Sequence, residues 1–257
     1  MTRSPLLIGY FTMVRKDFVR ILRIWSQTLL PPAVTTGLYF AIFGTFIGSQ
    51  VAAVSGFPYI QFIVPGIIMM SIITSAYMNV VSTFYFAKWT HTLDEQLVSP
   101  MPSWAVIAGF VSGGLIRAFL TGVIVVLVSL FFTHLSIFSF GILFAAVFLT
   151  ALFFSILGLV NGIFAKSFDA ISIVPTFVLT PLTYLGGVFY SIEQLPEFFR
   201  NLSLANPILY MVNAFRYGFL GVSDIALSTC FAVMGGLVVV AFAATFWIFK
   251  TGAGFKQ

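Results

Sequence analysis

Lys88, His91, Asp94 and Glu95 fall within eight positions of one another. Such a set carries enough protons and lone pairs to suggest acid–base chemistry or metal ligation. It sits in the stretch YFAKWTHTLDEQLVSPMPSW (85–104), in a chain of which only 7% is charged and in which no charge occurs between Arg23 and Lys88. The enzymatic readings fail on spacing. His134, the second histidine, is separated from His91 by an apolar run long enough to cross a bilayer, so the two cannot share a metal. No G-x-S-x-G elbow and no acidic cluster suited to metal-assisted chemistry occur. FAKSF (164–168) has a Lys-Ser pair but none of the glycines that would cradle a phosphate, so the chain does not split ATP in the P-loop manner. The sequence offers no catalytic set and no metal set.

The surrounding elements explain why. The chain has 257 residues, is 60% hydrophobic and 18% aromatic, and has a mean hydropathy of +1.09. A soluble domain is roughly half apolar and a quarter charged. Long uncharged runs without period-two alternation predict an all-α integral membrane protein rather than a barrel. Charges and turn residues divide it into six transmembrane helices at about 28–47, 62–86, 104–132, 140–164, 171–190 and 226–249, read as one domain over 1–257. The single cysteine, Cys230, excludes an intramolecular disulfide.

Lysine and arginine set the orientation. With the N-terminus inside, the cytoplasmic side holds Arg3, Arg15, Lys16, Arg20, Arg23, Lys88, Lys166, Lys250 and Lys256, against Arg200 and Arg216 outside. Both termini and the polar island at 85–104 are therefore expected in the cytoplasm. This distribution also accounts for the net charge of +5 without nucleic acid. Residues 6–25 place Leu7, Tyr10, Val14, Phe18, Ile21 and Trp25 at three- and four-residue spacing, with Lys16, Arg20 and Arg23 on another face. That pattern predicts an interfacial amphipathic helix.

Few polar groups enter the spans. Arg117 is the clear intramembrane charge; it either snorkels to the inner interface, helped by an irregularity at Gly113-Gly114, or faces a hydrated cavity where it holds an anionic group. Asn161 either lines a pathway or bonds a neighbouring helix. Gly109-x-x-x-Gly113 and Gly158-x-x-x-Gly162 permit close helix approach, read as packing within one subunit. Segment 191–224 is too apolar for an aqueous loop and is broken by Pro196 and Pro207, which predicts a re-entrant pair of short helices. Whether it gates or merely caps the outer face stays open at this level. Thr92 with Glu95 fits the S/T-x-x-E capping pattern, and Leu93 and Leu97 share a helix face at i, i+4.

FPYIQFIVPGIIMMSIITSAYMNV (57–80), LDEQLVSPMP (93–102) and PLTYLGGVFYSIEQLPEFFRNLSLANPILYMVNAFRYGFLG (181–221) together resemble the ABC-2 type permeases, and within them the YadH-type branch. The pairing of Pro196 with Asn206-Pro207 and Arg216 is especially similar. The resemblance implies the membrane subunit of an ATP-binding-cassette exporter in a bacterial inner membrane. It would work as a homodimer with two separate ATPase subunits, which bind the ATP and Mg, this chain holding no cofactor. It implies a coupling helix over 90–99, ended by Pro100 and Pro102, with Thr92, Leu93, Asp94, Glu95 and Leu97 meeting the ATPase. It also implies an outer gate for which Glu193, Pro196, Asn206, Pro207 and Arg216 are candidates, beside Arg117 and Asn161 as pathway candidates. Membrane lipid and an amphipathic or lipid-linked substrate are the remaining expected partners. The rival class is a self-contained secondary carrier or channel. It is disfavoured because the spans lack the acidic groups that ion-driven carriers use.

Overall fold

The computed structural model describes residues 5–48, 50, 53–54, 56–99, 101–252 and 254, with backbone alone at Pro5 and Thr45. Arg3, Lys256 and the expected helix stop Pro100 lie outside these. The described residues form helices and connecting turns with no strand.

Four helices are long and apolar enough to cross a membrane. They are α4 (Tyr59–Trp89), α6 (Ser103–Ser129), α7 (Phe140–Phe164) and α12 (Leu227–Thr251). They match four of the expected spans. The segments expected as the first and fifth spans are instead assembled from pieces. The first comprises α2 (Trp25–Thr28), α3 (Leu30–Tyr39) and a π-helical stretch, Phe40–Ile47. The fifth comprises α8 (Ala170–Val174), a π-helical stretch at Pro175–Leu179, and α9 (Thr180–Tyr184). Prolines contribute to the division: Pro31 and Pro32 lie in the first turn of α3, where the missing N–H groups cost nothing, and Pro175 and Pro181 start the later pieces.

α4 is the hub, packed against α7, α6 and α11 (Pro207–Leu220). Glycines set how close these helices come. A Cβ on Gly158 would lie 2.6 Å from the Tyr77 carbonyl oxygen, and one on Gly162 would meet the Phe84 ring at 3.1 Å. The Gly158/Gly162 pair therefore brings α7 onto the α4 backbone within one chain, as expected. Gly109 and Gly113 do the same for α6 and α1 (Pro5–Arg23): Gly109 faces Met13, and Gly113 faces Asp17 and Asn79. Gly114 packs against Ser155 and Val80. The Gly113-Gly114 pair serves close packing and α6 stays α-helical through it, which corrects the expected irregularity.

Candidate functional site

α1 is amphipathic, but it packs along α6 rather than standing alone. Ile21 is buried and Tyr10 and Val14 are half-buried, whereas Leu7, Phe18 and Trp25 from the same predicted stripe are exposed with Ile8, Phe11 and Leu22. The helix therefore has one apolar side for protein and another left uncovered. Its protein-facing side carries an acid. Asp17 is buried and accepts from Arg20 Nη2 at 2.8 Å and Asn79 Nδ2 at 2.9 Å. Arg20 also donates to Asn79 Oδ1 at 3.0 Å and to the Thr83 hydroxyl. This knot joins α1 to α4 against Gly113 of α6. Sequence reasoning missed it, although Tyr10, Val14, Asp17 and Ile21 sit at three- and four-residue spacing, a stripe in which the acid is the anomaly.

The polar island folds into α5 (Thr92–Val98), shorter than the 90–99 expected. Its N-cap is His91, held in the left-handed region at φ 59°, and no side chain caps the helix. This corrects the role given to Thr92, whose hydroxyl bonds that of Thr90 at 2.5 Å instead. His91 Nδ1 pairs with Asp94 at 3.0 Å. Leu93 is buried in the chain's own core, while Leu97 and Val98 are exposed beside the exposed Asp94 and Glu95. The two leucines thus do not present one outward face: over seven residues the helix turns Leu93 inward against the end of α4, and Leu97 and Val98 outward. Lys88 is not a free charge. Its Nζ donates to the Ile163 carbonyl at 2.9 Å, at the C-terminal end of α7, where a cation suits the helix dipole. Nearby, the Phe168 ring packs on Tyr85 at 4.8 Å and on Trp89 at 5.7 Å between centroids.

Between α2–α3, α4 and α6 lies a cleft of about 280 Å³, bordered by Gln27, Thr35, Tyr39, Ser71, Thr74 and Arg117. On α4, Met70, Thr74 and Met78 recur at i, i+4 along its edge. Ser71 and Thr36 share a hydrogen bond at 3.2 Å. Arg117 stands near the middle of α6, and its Nη2 makes one long bond, 3.4 Å, to the Thr28 carbonyl. Its Nε is closed off without a partner. Among the described residues no carboxylate lies within ion-pairing distance of it.

The remaining candidates cluster elsewhere. Asn161 donates to the Ile171 carbonyl at 3.3 Å, so it bonds a neighbouring element while edging a separate, largely apolar cavity of about 340 Å³. In segment 191–224 two short helices appear where the prolines predicted a break: Pro196 is the N-cap of α10 (Glu197–Leu204) and Pro207 opens α11. Asn206 caps α11 through the Ile208 N–H at 3.0 Å and donates to the Leu182 carbonyl at 2.6 Å. Arg216 is wholly buried, donating to Gly187 O at 2.6 Å and Phe62 O at 3.4 Å, with its guanidinium 3.9 Å from the Phe62 ring centre. It ties α11 to the start of α4. Asp224 accepts from the Ile192 N–H at 3.0 Å, and its own N–H donates to Asn213 Oδ1 at 2.8 Å, closing the segment on itself. Glu193 is exposed. The structure thus separates Arg117 from the other gate candidates and gathers Asn206, Pro207 and Arg216 on one helix.

The family described as ABC-2 type transporter matches residues 9–220. The inner membrane transport permease YadH of Escherichia coli (strain K12) is 50% identical over 242 residues, covering 94% of each chain. Nodulation protein J of Rhizobium leguminosarum bv. viciae is 26% identical over 217 residues, 83% of each chain, and that of Neorhizobium galegae 23% over 224 residues, 86% of each. With four long apolar helices, α4 among them, and with a match running from α1 to the end of α11, the chain belongs to the ABC-2 type transporter family.

Proposed function

We propose that this chain is the non-catalytic membrane subunit of an ATP-binding-cassette exporter in a bacterial inner membrane, acting as two copies driven by two separate ATPase subunits. The observation that carries the reading is α5, a short helix at the end of the central α4 that turns Leu97 and Val98 outward beside Asp94 and Glu95. A helix with two bare aliphatic side chains rimmed by acids suits an apolar cleft with a basic edge on a partner. ATP and Mg would be held by that partner. The assembled segments at 25–47 and 170–184 would complete six spans, with both termini in the cytoplasm. The α10–α11 pair would re-enter the outer leaflet, α11 latched by Arg216. The polar edge of the cleft, with Thr35 and Thr74 exposed, would be a poor surface for lipid and would face the second copy. A lipophilic or lipid-linked substrate would pass between the copies and leave outward.

Charging Leu97 and Val98 together (Leu97→Glu, Val98→Lys) tests this. Burying even an uncharged polar group without a partner costs about 2–7 kcal/mol, and an unpaired charge more. The cognate ATPase should therefore no longer co-purify, while permease levels in the membrane stay normal. Leu93→Glu should instead lower the permease itself, because Leu93 is core. An ATPase that binds the double variant as it binds wild type would remove α5 from the coupling role.

A further inference from the structure

An arginine in the middle of an apolar helix must be paired or hydrated, and among the described residues no carboxylate pairs with Arg117. Asp17, the carboxylate that acts on it electrostatically, is already engaged by Arg20 and Asn79, and Arg20 contributes a second positive charge. Polar hydroxyls surround the gap. Thr35 and Thr74 are exposed to it, Tyr39 and Ser71 border it, and Gln27 stands at its edge. The volume, about 280 Å³, approaches the lower end of the range for small-molecule sites, roughly 300–1,000 Å³. The methionines at 70 and 78 supply adaptable apolar wall on either side of Thr74.

We infer that this cleft binds the anionic group of an amphiphile, a phosphate or a comparable oxyanion, with Arg117 as the charge that holds it and the Thr35 hydroxyl as a supporting donor, while the Ser71 and Thr74 hydroxyls, donating back to the Ile67 and Met70 carbonyls, line the gap. A guanidinium recognises such groups through two parallel N–H donors, a geometry that an ammonium does not reproduce. The apolar remainder of the ligand would lie along Met70 and Met78. The inference rests on the transporter reading for its consequence: the transported molecule, or a lipid that accompanies it, carries negative charge. It does not rest on that reading for its chemistry.

The test uses the full chain in neutral-lipid nanodiscs with Cys230 replaced by serine and Thr74→Cys as a reporter in the cleft. Reaction of that thiol with an uncharged maleimide is timed while dodecyl phosphate is added. Inorganic phosphate, dodecyl maltoside and dodecyltrimethylammonium are run in parallel. Dodecyl phosphate should protect the thiol, the neutral and cationic amphiphiles should not, and Arg117→Gln should raise the half-protecting concentration at least tenfold. Protection by inorganic phosphate alone at similar concentration would place a free anion rather than an amphiphile in the site, and would overturn the amphiphile assignment. Equal protection by the cationic amphiphile needs no variant and would overturn the anion site outright, as would undiminished protection of Arg117→Gln. Intact protection in a wild-type chain with which no ATPase co-purifies would leave the site standing and sink the transporter reading alone.

Discussion

Asp17→Ala removes the acceptor at the centre of the α1–α4 knot. The bonds from Arg20 at 2.8 Å and Asn79 at 2.9 Å are lost, with a long one from the Thr83 hydroxyl at 3.5 Å. Bonds to a charged group contribute about 1.5–3 kcal/mol each. Arg20 has 34% of its side chain exposed, so it recovers water and its share shrinks. Asn79 has no exposure and is left with a buried donor, a penalty of about 1–3 kcal/mol. Together these predict a loss of about 2–4 kcal/mol. At about 2–4 °C per kcal/mol for a chain of this size, the melting temperature should fall by roughly 5–15 °C. Cys230, buried and the sole cysteine, provides the assay: its reaction with a thiol-reactive dye reports unfolding in detergent. The specific claim is coupling. In a cycle with Asn79→Ala, the double variant should be about 1–3 kcal/mol less destabilised than the sum of the singles. Additivity to within about 0.5 kcal/mol, or a single variant that melts with wild type, would refute the knot as an energetic unit.

Two further outcomes follow from the same geometry. Gly158→Ala would put a Cβ 2.6 Å from the Tyr77 backbone oxygen, an atom that cannot move aside; overpacking of about 1–3 kcal/mol should appear as a lower melting temperature, whereas Gly235→Ala, with open space around it, should not shift it. A single cysteine at the exposed position Glu193, in a Cys230→Ser background, should react with an impermeant reagent added outside intact cells, and reaction from the cytoplasmic side alone would invert the proposed orientation.

The four long helices were legible because length and hydropathy are additive properties of a run. FGILFAAVFLTALFFSILGLVNGIF reads as one span at any register, and the helix over it begins and ends where the reading put it. The pieces at 25–47 and 170–184 were not legible, because hydropathy is blind to whether each N–H reaches four or five residues back. The site divided in the same way. Arg117 stands out in the sequence as a charge among apolar residues, and it does line a cleft. Asn79 does not stand out, since its importance comes from Asp17, far away in sequence. Leu93 and Leu97 looked equivalent at i, i+4, yet the position of the α4 end turned one inward and left the other bare. Pairwise spacing fixes a shared side of an isolated helix; only the neighbours decide how much of that side is covered.

The Lys88 contact has a mechanical consequence. α4 spans 31 residues, about 46 Å at 1.5 Å per residue, and α5 leaves its end through the two-residue elbow Thr90-His91. Were the last turn of α4 free, a force on α5 would fray it and go no further. Lys88 instead fastens that turn to the carbonyl end of α7, so α4 and α7 respond as one lever with its short arm at α5. A tilt of about one degree moves the far end of such a rod by ~0.8 Å. That far end, one turn beyond Pro65, is where the Phe62 carbonyl accepts from Arg216, so on the proposed function a small torque applied at the elbow would be read out where α11 meets α4.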